Sequence, residues 1–215
     1  MPGRPRIIAP GYPHHVVSRA NHGQTCFHEE EDYRVFLDIV GNLKRKREIR
    51  IWSFCIMPNH FHLLVVPETP EDLVKFMQGL LVTYTQYYNR KYGQEGQLWR
   101  AKYHSSIVDH EHYLWKVMRY IERNPVRAGL VEWPEDYPYS SASKNRIGSQ
   151  FLDEPPFTPE TKAYYLEWRR QPEPPELLAF LRQNSRKNRP LGPPDFARRF
   201  GFEERKRGRP PNLKK

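Results

Sequence analysis

Cysteine and long apolar runs are both scarce in this chain of 215 residues. The two cysteines, Cys26 and Cys55, are too few for the disulfide framework of a small secreted protein, and a reducing cytoplasm suits them. No apolar run approaches the roughly 18 residues that a membrane-spanning helix needs. The basic N-terminus lacks the apolar stretch of a secretory signal. These absences predict a cytoplasmic protein that does not enter a membrane.

Positive charge is abundant and is concentrated at the C-terminal end. The net charge is +10, and residues 182–215 alone hold twelve Lys or Arg against three Asp or Glu. A hydrophobic fraction of 38% is high enough for a folded core, so the chain is not wholly disordered. A basic segment on a nearly neutral folded part is typical of proteins that bind nucleic acid, although a solubilising tail without a partner has the same composition.

Apolar periodicity predicts an alternation of strands and helices over the first 124 residues. Strands are expected at 14–19, 50–57, 60–66 and 103–108, and helices at 29–47, from Pro70 after a Thr69 cap, and at 110–124 after an Asp109 cap. The Pro58-Asn59 turn makes a hairpin of the second and third strands. This order indicates an α+β fold of the ferredoxin-like type, with a four-stranded antiparallel sheet and two helices on one face.

The composition changes after residue 149. Eleven of the 21 prolines fall in residues 151–215, where they separate three short helical patterns at 162–170, 176–187 and 195–200. We therefore divide the chain into a basic extended arm at 1–9, a folded domain at 10–149 and a Pro-rich, strongly basic, partly helical extension at 150–215. The sequence contains no internal repeat.

Two histidines open the predicted third strand. His60 and His62 are separated by Phe61, and alternate residues of a strand point to the same face, so both imidazoles project together while the phenyl ring projects to the other face. Two convergent imidazoles can hold one divalent metal ion. Two ordinary half-buried histidines would give the same triplet.

A tyrosine and an asparagine lie one turn apart on the predicted third helix. Tyr120 and Asn124 are at positions i and i+4, so they share a side of the helix next to its apolar stripe. A tyrosine nucleophile with a nearby polar metal ligand would need such a pair. An aromatic residue flanking a core, followed by an Asn that ends a helix before Pro125, would produce the same pattern.

Several blocks of the sequence resemble one known family. MPNHFHLLV (Met57 to Val65) resembles the metal-binding strand of HUH single-tyrosine transposases. RYIERNPVRAGLV (Arg119 to Val131) resembles the tyrosine helix of their REP-associated branch, the REP-associated tyrosine transposases, which are grouped with the IS200-like transposases. The stretches Tyr12 to Phe27 and Leu98 to Pro125 approximate the family's opening strand and its approach to the tyrosine. The resemblance runs from about Pro10 to Ser143.

The resemblance implies an HUH nuclease fold and a set of roles. His60 and His62 would bind Mg²⁺ or Mn²⁺, and Asn124 would stand where many relatives have a Gln ligand. Tyr120 would cut single-stranded DNA beside a hairpin through a 5′-phosphotyrosine intermediate, and a DNA hydroxyl could then reseal the strand without ATP. The absence of a P-loop motif agrees with this chemistry. The protein could act as a monomer or a homodimer.

Two other functions fit the same residues. One is a domesticated, noncatalytic protein that keeps the fold and binds hairpin DNA. The other is a replication initiator or relaxase of the HUH class, which the small size and the missing helicase signature disfavour. Retention of Tyr120 together with both histidines favours the transposase.

Basic and aromatic residues around these motifs are candidate DNA contacts. We expect phosphate contacts from five residues: Arg19, Asn21, Arg100, Lys102 and Arg119. The alternative is that they are solvated surface residues without a partner. Trp99 and Tyr103 could stack on unpaired bases or belong to the core. Arg205, Arg207 and Arg209 surround a Gly-Arg-Pro core that recurs in Gly3-Arg4-Pro5-Arg6. Such arms fit the minor groove of A·T-rich duplex, or bind phosphates nonspecifically, and predict association with the prokaryotic nucleoid.

Overall fold

The backbone follows the predicted order of strands and helices in a computed structural model that describes residues 6–100, 102–145 and 147–202. Strands are β1 (His14–Arg19), β2 (Ile49–Met57), β3 (His60–Pro67) and β4 (His104–Ile107). Helices are α1 (Glu30–Lys44), α2 (Pro70–Tyr92), α3 (Leu114–Glu122), α4 (Asn124–Arg127), α5 (Pro159–Trp168), α6 (Pro175–Arg186) and α7 (Pro194–Arg199). Local periodicity therefore predicted these elements well, with boundaries that differ by a few residues.

The four strands form one antiparallel sheet in the order β2-β3-β1-β4. In the register of this sheet, His62 on β3 lies opposite Val17 on β1 and opposite Cys55 on β2. Helices α1 and α2 pack together on one face. The predicted ferredoxin-like α+β architecture is confirmed.

Both faces of the sheet are covered, and every residue of β3 is consequently buried. On the first face, Phe61 and Leu63 pack with the apolar sides of α1 and α2. On the second face, Leu64 packs with α3 and with Tyr165 and Leu181 from the C-terminal extension. The extension is thus part of a second core, and the histidines of β3 face that side.

Helix α2 shows why the terminal signals in the sequence were informative. The Thr69 side chain accepts a hydrogen bond from the backbone N–H of Asp72 at 3.2 Å, and Pro70 occupies the first turn, where its missing N–H is not needed. Gly93 ends the helix with a φ of +60°, a left-handed conformation that glycine adopts without steric cost. The predicted start of this helix is confirmed.

The helix that carries Tyr120 is shorter than predicted. Asp109 does not cap it, because its carboxylate accepts from the backbone N–H groups of Glu111 and His112 in a preceding turn, and the helix begins only at Leu114. The helix ends at Glu122, near the predicted stop. Helix α4 follows directly, because Pro125 fits its first turn.

The C-terminal extension is attached to the edge strand β4. The Asn188 side chain accepts from the backbone N–H of Ser105 at 3.0 Å, and the N–H of Leu191 donates to the carbonyl of Ile107 at 2.7 Å. Leu191 is fully buried. This part of the extension therefore belongs to the folded structure and not to a free tail.

Within the described ranges, no helix is both long enough and apolar enough to cross a membrane. Cys26 and Cys55 are free, buried thiols, as the expected lack of a disulfide framework requires. Burial raises the pKa of both thiols above the ordinary range of cysteine, so neither is activated as a nucleophile.

Candidate active site between the sheet and helix α3

A cavity of about 760 Å³ lies between the second face of the sheet and helix α3. Its walls come from β1, β3, the end of β2, β4 and the segment before it, the α3–α4 region and α6. His60, His62, Tyr120 and Asn124 all line it. The structure therefore brings together the four residues for which the sequence suggested catalytic or metal-binding roles.

The hydrogen bonds of the two histidines leave the same ring nitrogen available on each. His60 Nδ1 lies 2.6 Å from Asn59 Oδ1, and the Asn59 amide nitrogen donates to the carbonyl of Gly23, so His60 Nδ1 must be the donor. His62 Nδ1 lies 2.8 Å from Nε2 of His15. Among the described residues, neither Nε2 atom has a hydrogen-bond partner, as in metal-binding histidines that are oriented through their second nitrogen.

The same histidines are held in the neutral form that binds metals. Burial, with a smaller contribution from nearby arginines, lowers the pKa of His60 and of His15 from 6.5 to about 3. Burial is also the largest cause that lowers the pKa of His62 well below its ordinary value, followed by the proximity of His15. A neutral imidazole offers a lone pair to a cation without first losing a proton.

The donor set fits a divalent metal ion in part. The ring centres of His60 and His62 lie 5.1 Å apart, and both Nε2 atoms are available. Among the described residues, no group of three His, Cys, Asp or Glu side chains could hold a metal ion. Asn124 donates through its amide nitrogen to the carbonyls of Tyr120 and Ile121, which leaves its oxygen as the remaining ligand atom. Two imidazoles and one amide oxygen are therefore the protein ligands that this site can provide.

Tyr120 is packed between the histidines and an arginine. Its ring is nearly perpendicular to those of His15 and His62, with centroids 5.8 and 5.9 Å away. The guanidinium of Arg127 lies 4.4 Å from the ring centre. Only 7% of Tyr120 is exposed, and the part that is not packed against other residues faces the cavity.

The lining of the cavity is strongly basic. Among the described residues that form it, six are Lys or Arg and none is Asp or Glu: Arg19, Arg100, Lys102, Arg127, Arg182 and Arg186. Burial lowers the pKa of Arg19, and the charge of Arg186 adds to this effect, so cations from β1 and α6 influence each other across the cavity. A cavity with this lining attracts phosphates.

Two of the expected DNA contacts are not in the cavity. Arg119 is only 3% exposed, and its guanidinium stacks on the ring of Trp168 at 3.5 Å. Neighbouring residues on a helix point about 100° apart, so Arg119 faces α5 while Tyr120 faces the sheet. The expectation of a phosphate contact at Arg119 is therefore corrected. The Asn21 side chain donates to the carbonyl of Gln97 and joins two loops.

The candidate stacking aromatics belong to the first core. Trp99 is 6% exposed, packs against Phe61 and donates its indole N–H to the carbonyl of Leu81 at 3.2 Å. Tyr103 is 7% exposed, and the Arg6 guanidinium covers its ring at 4.0 Å. Of the two alternatives that the sequence left open for these aromatics, the structure supports the core.

The predicted DNA contacts in the two tails concern residues that the structure does not describe. Arg205, Arg207 and Arg209, together with Gly3, Arg4 and Pro5, lie outside the described residues. Their role remains a sequence-based prediction.

Sequence reasoning missed several residues of the site. His15 is two residues before Val17 on β1, but only the register of β1 against β3 reveals that it meets His62. Arg127 is seven residues after Tyr120, a spacing that would have placed it on the same side of a helix. The cavity residues of α6 (Arg182, Ser185 and Arg186) had only their i, i+3, i+4 spacing as a signal, since their position depends on how the extension packs.

Comparison with known proteins identifies the family. Residues 10–124 match the family model described as "Transposase IS200 like", which spans more than half of the chain. The chain belongs to this family. The matched segment ends at Asn124, so it includes every residue proposed here for metal binding and catalysis, while the C-terminal extension lies beyond it.

A curated relative and a solved structure agree with this membership. The chain is 29% identical over 99 residues to a Haemophilus influenzae protein that bears the name of the REP-associated tyrosine transposases. The match covers 41% of this chain and 56% of that protein, so the chain spans little more than half of the relative's length. A REP-associated tyrosine transposase bound to a REP hairpin has a similar fold, with a TM-score of 0.56 and 17% identity over 75% of this chain and 96% of the other.

Proposed function

We propose that this IS200-like transposase cuts and rejoins single-stranded DNA beside a hairpin, with Tyr120 as the nucleophile. One observation carries the proposal: a confined phenol, two neutral imidazoles with available Nε2 atoms and six cations line the same cavity. The cations from β1, from the segment before β4 and from α6 suit the phosphates of DNA, and the phenol supplies an attacking oxygen.

In the proposed reaction, Tyr120 exchanges one phosphoester bond for another. Its oxygen attacks a phosphorus atom of the strand and forms a tyrosyl ester at the 5′ side. The bond to the 3′ oxygen breaks, the phenol loses a proton and the departing 3′ oxygen gains one. A DNA 3′ hydroxyl can later attack the tyrosyl ester and restore a phosphodiester, so the number of ester bonds is unchanged and no ATP is required.

A divalent metal ion, Mg²⁺ or Mn²⁺, is the proposed cofactor. His60 and His62 would bind it through Nε2, and the Asn124 amide oxygen would be the third protein ligand. When bound there, such an ion would act as a Lewis acid toward a phosphate oxygen. The hydrogen bonds from His60 to Asn59 and between His62 and His15 keep the two rings in orientations that expose the ligating nitrogens.

The proposed partner is DNA that contains a hairpin and an adjacent single strand. The proposal extends to this chain the partner of its structural neighbour, a transposase bound to a REP hairpin. Arg19, Arg100 and Lys102 line one side of the cavity and would hold the phosphates next to the scissile bond.

Formation of a covalent protein–DNA adduct tests this function directly. End-labelled hairpin DNA with a single-stranded flank is incubated with the full chain and Mg²⁺ or Mn²⁺, and the products are separated under denaturing conditions. With the label at the 3′ end, which stays on the fragment joined to Tyr120, we expect a labelled band at the mass of the protein plus that fragment. The band should be abolished by EDTA and reversed by a DNA strand that carries a 3′ hydroxyl.

The control is Tyr120→Phe, which keeps the ring and removes the attacking oxygen. Tight hairpin binding without an adduct in the unaltered protein would support the noncatalytic binding protein and overturn the proposed chemistry. An adduct that persists in Tyr120→Phe would assign the nucleophile to another residue.

A further inference from the structure

The C-terminal extension contains a buried carboxylate beside the α3–α4 region. Glu173 lies between α5 and α6, and its side chain is 1% exposed. Arg123 donates to it from Nε at 3.0 Å, and Arg127 donates to its other oxygen. Two arginines around one carboxylate leave one positive charge in excess at this place. A buried carboxylate with two charged donors has one favourable geometry, so both guanidinium groups are held in fixed positions.

Arg127 uses this fixed position to contact Tyr120 twice. Its guanidinium lies 4.4 Å from the centre of the Tyr120 ring, a favourable distance between a cation and an aromatic face. Its Nη2 donates to the Tyr120 backbone carbonyl at 2.6 Å. That carbonyl is in the last turn of α3, where helix carbonyls lack an intrahelical partner and the helix dipole favours a cation. Arg127 therefore restrains both the backbone and the ring of Tyr120.

The chain of contacts joins the extension to the proposed nucleophile. We propose that Arg127, held by Glu173, is the positioning residue that keeps the Tyr120 ring in its orientation for attack, so that the C-terminal extension is required for the rate of cleavage. This inference rests on the proposed function of Tyr120. It differs from a phosphate-binding role, because Nη1 and Nη2 of Arg127 already donate to Glu173 and to the Tyr120 carbonyl.

Arg123 provides a matched control. It pairs with the same carboxylate and is also buried, but its other hydrogen bonds go to the carbonyls of Arg169 and Arg170. Arg123→Met and Arg127→Met each remove one guanidinium from Glu173 and keep an unbranched stem in place of the arginine methylenes. Only the second variant removes the contacts to Tyr120.

The first measurement separates DNA binding from chemistry. Hairpin binding is followed by fluorescence anisotropy, and adduct formation is followed in a single turnover at saturating DNA. Arg127→Met should bind the hairpin as tightly as the unaltered protein and form the adduct on the order of 100-fold more slowly, the cost of a misplacement of about 1 Å. Arg127→Lys should recover part of the rate, and Arg123→Met should retain all of it.

A second variant tests the role of the extension while Arg127 remains. Glu173→Gln preserves the shape of the side chain and removes its charge, so it releases the restraint on Arg127. We expect a loss of rate in the same direction, again without a loss of hairpin binding. If Arg127→Met does not fold, this variant decides the question.

A second measurement does not depend on activity. 3-Fluorotyrosine at position 120 gives a ¹⁹F resonance whose shift between H₂O and D₂O reports the exposure of the ring. The shift should be small in the unaltered protein and in Arg123→Met, and larger in Arg127→Met. If the unaltered protein forms no adduct, the proposed function fails, and the fluorine measurement still tests the positioning.

Three results would overturn the inference. Equal rates in Arg127→Met and the unaltered protein would show that Tyr120 needs no such support. Equal losses of rate in Arg127→Met and Arg123→Met would assign both arginines to stability alone. Loss of hairpin binding in parallel with the rate would assign Arg127 to the DNA.

Discussion

Both faces of the sheet carry aromatic side chains, but one face is a packed core and the other lines a cavity. On the face covered by α1 and α2, the rings of Phe36, Phe61 and Tyr84 are fully buried and pack against one another. On the face covered by α3 and the extension, imidazoles, a phenol and six cations surround a cavity of about 760 Å³. One face is closed by packing, and the other keeps an opening lined with polar groups.

The contrast follows from the alternation of strand residues. Successive residues of β3 contribute to opposite faces, so His60 and His62 belong to the cavity while Phe61 lies between them in sequence and belongs to the core. Cavities with unpaired polar groups cost stability, and the closely packed first face offsets that cost. Stability and the proposed chemistry should therefore be separable by substitutions on opposite faces.

The largest expected effect comes from one substitution made on both faces, Tyr to Phe. Tyr120→Phe should lower adduct formation by at least about 10³-fold, because it removes the proposed nucleophile, with little change in the free energy of unfolding. Tyr84→Phe should leave adduct formation intact and cost about 1–3 kcal/mol, because the Tyr84 hydroxyl donates to the buried Cys26 carbonyl at 2.7 Å. Adduct assays and urea denaturation measure the two effects. The comparison fails if Tyr84→Phe also stops adduct formation in a folded protein.

The second comparison uses neighbours on β3. Phe61→Ala should destabilise the protein by about 3–5 kcal/mol, since it leaves a cavity in the first core. His60→Ala should cost much less stability, but it should abolish metal-dependent cleavage by removing one of two imidazole ligands. Mn²⁺ titration of adduct formation and chemical denaturation test both variants. Large destabilisation by His60→Ala, with cleavage retained, would return this histidine to a structural role.

The third prediction concerns the pH dependence of stability. Burial lowers the pKa of His14 from 6.5 to about 4, although its hydrogen bond to the Tyr12 carbonyl opposes this, and Nε2 accepts from the N–H of Ala9. The native state thus binds fewer protons than the unfolded chain between about pH 6.5 and 4. Stability should be full above pH 6.5 and fall as the pH decreases through this window, by about 1.4 kcal/mol per pH unit for each such histidine.

Substitution of His14 separates this effect from the cavity. His14 and His15 are adjacent on β1 and point to opposite faces, so His14→Gln should reduce the pH dependence of urea denaturation without affecting adduct formation. His15→Gln should reduce both the pH dependence of urea denaturation and the rate of adduct formation, because His15 hydrogen-bonds to His62. An unchanged pH dependence in His14→Gln would mean that this histidine is not neutral in the native protein.

The smallest expected effect comes from removal of residues 203–215, which contain six Lys or Arg and two Glu, a net charge of +4. Binding should weaken on every DNA, and log K should depend less steeply on log salt, by roughly 0.7–0.9 per lost phosphate contact. The cleavage position should stay the same, because the cavity is formed by earlier residues. Anisotropy titrations at several salt concentrations test this. Equal slopes for the full and shortened chains would mean that these residues do not contact phosphate.

The local part of this structure could be predicted from the sequence alone. The strands, the cap of α2 at Thr69 and the shared face of His60 and His62 depend on residues within one or two turns of each other, where backbone geometry dictates the outcome. The family resemblance then indicated that Tyr120 lies near those histidines, and all three residues line the same cavity. The start of α3 was wrong, since Asp109 satisfies a turn of its own instead of a helix.

Contacts between distant segments were decided only by the tertiary structure. Ser185 reaches His15 across 170 residues, Glu173 reaches Arg127 across 46, and Arg119 turns away from the site toward Trp168. The apolar periodicity of the sequence does not predict which face of the sheet the extension covers. That outcome depends on how well the whole surface of the extension fits the surface formed by the sheet and α3. The sequence determined the fold and the chemical groups of the proposed site. The contacts that hold those groups in place depended on tertiary packing, since each of them joins segments that are distant in the sequence.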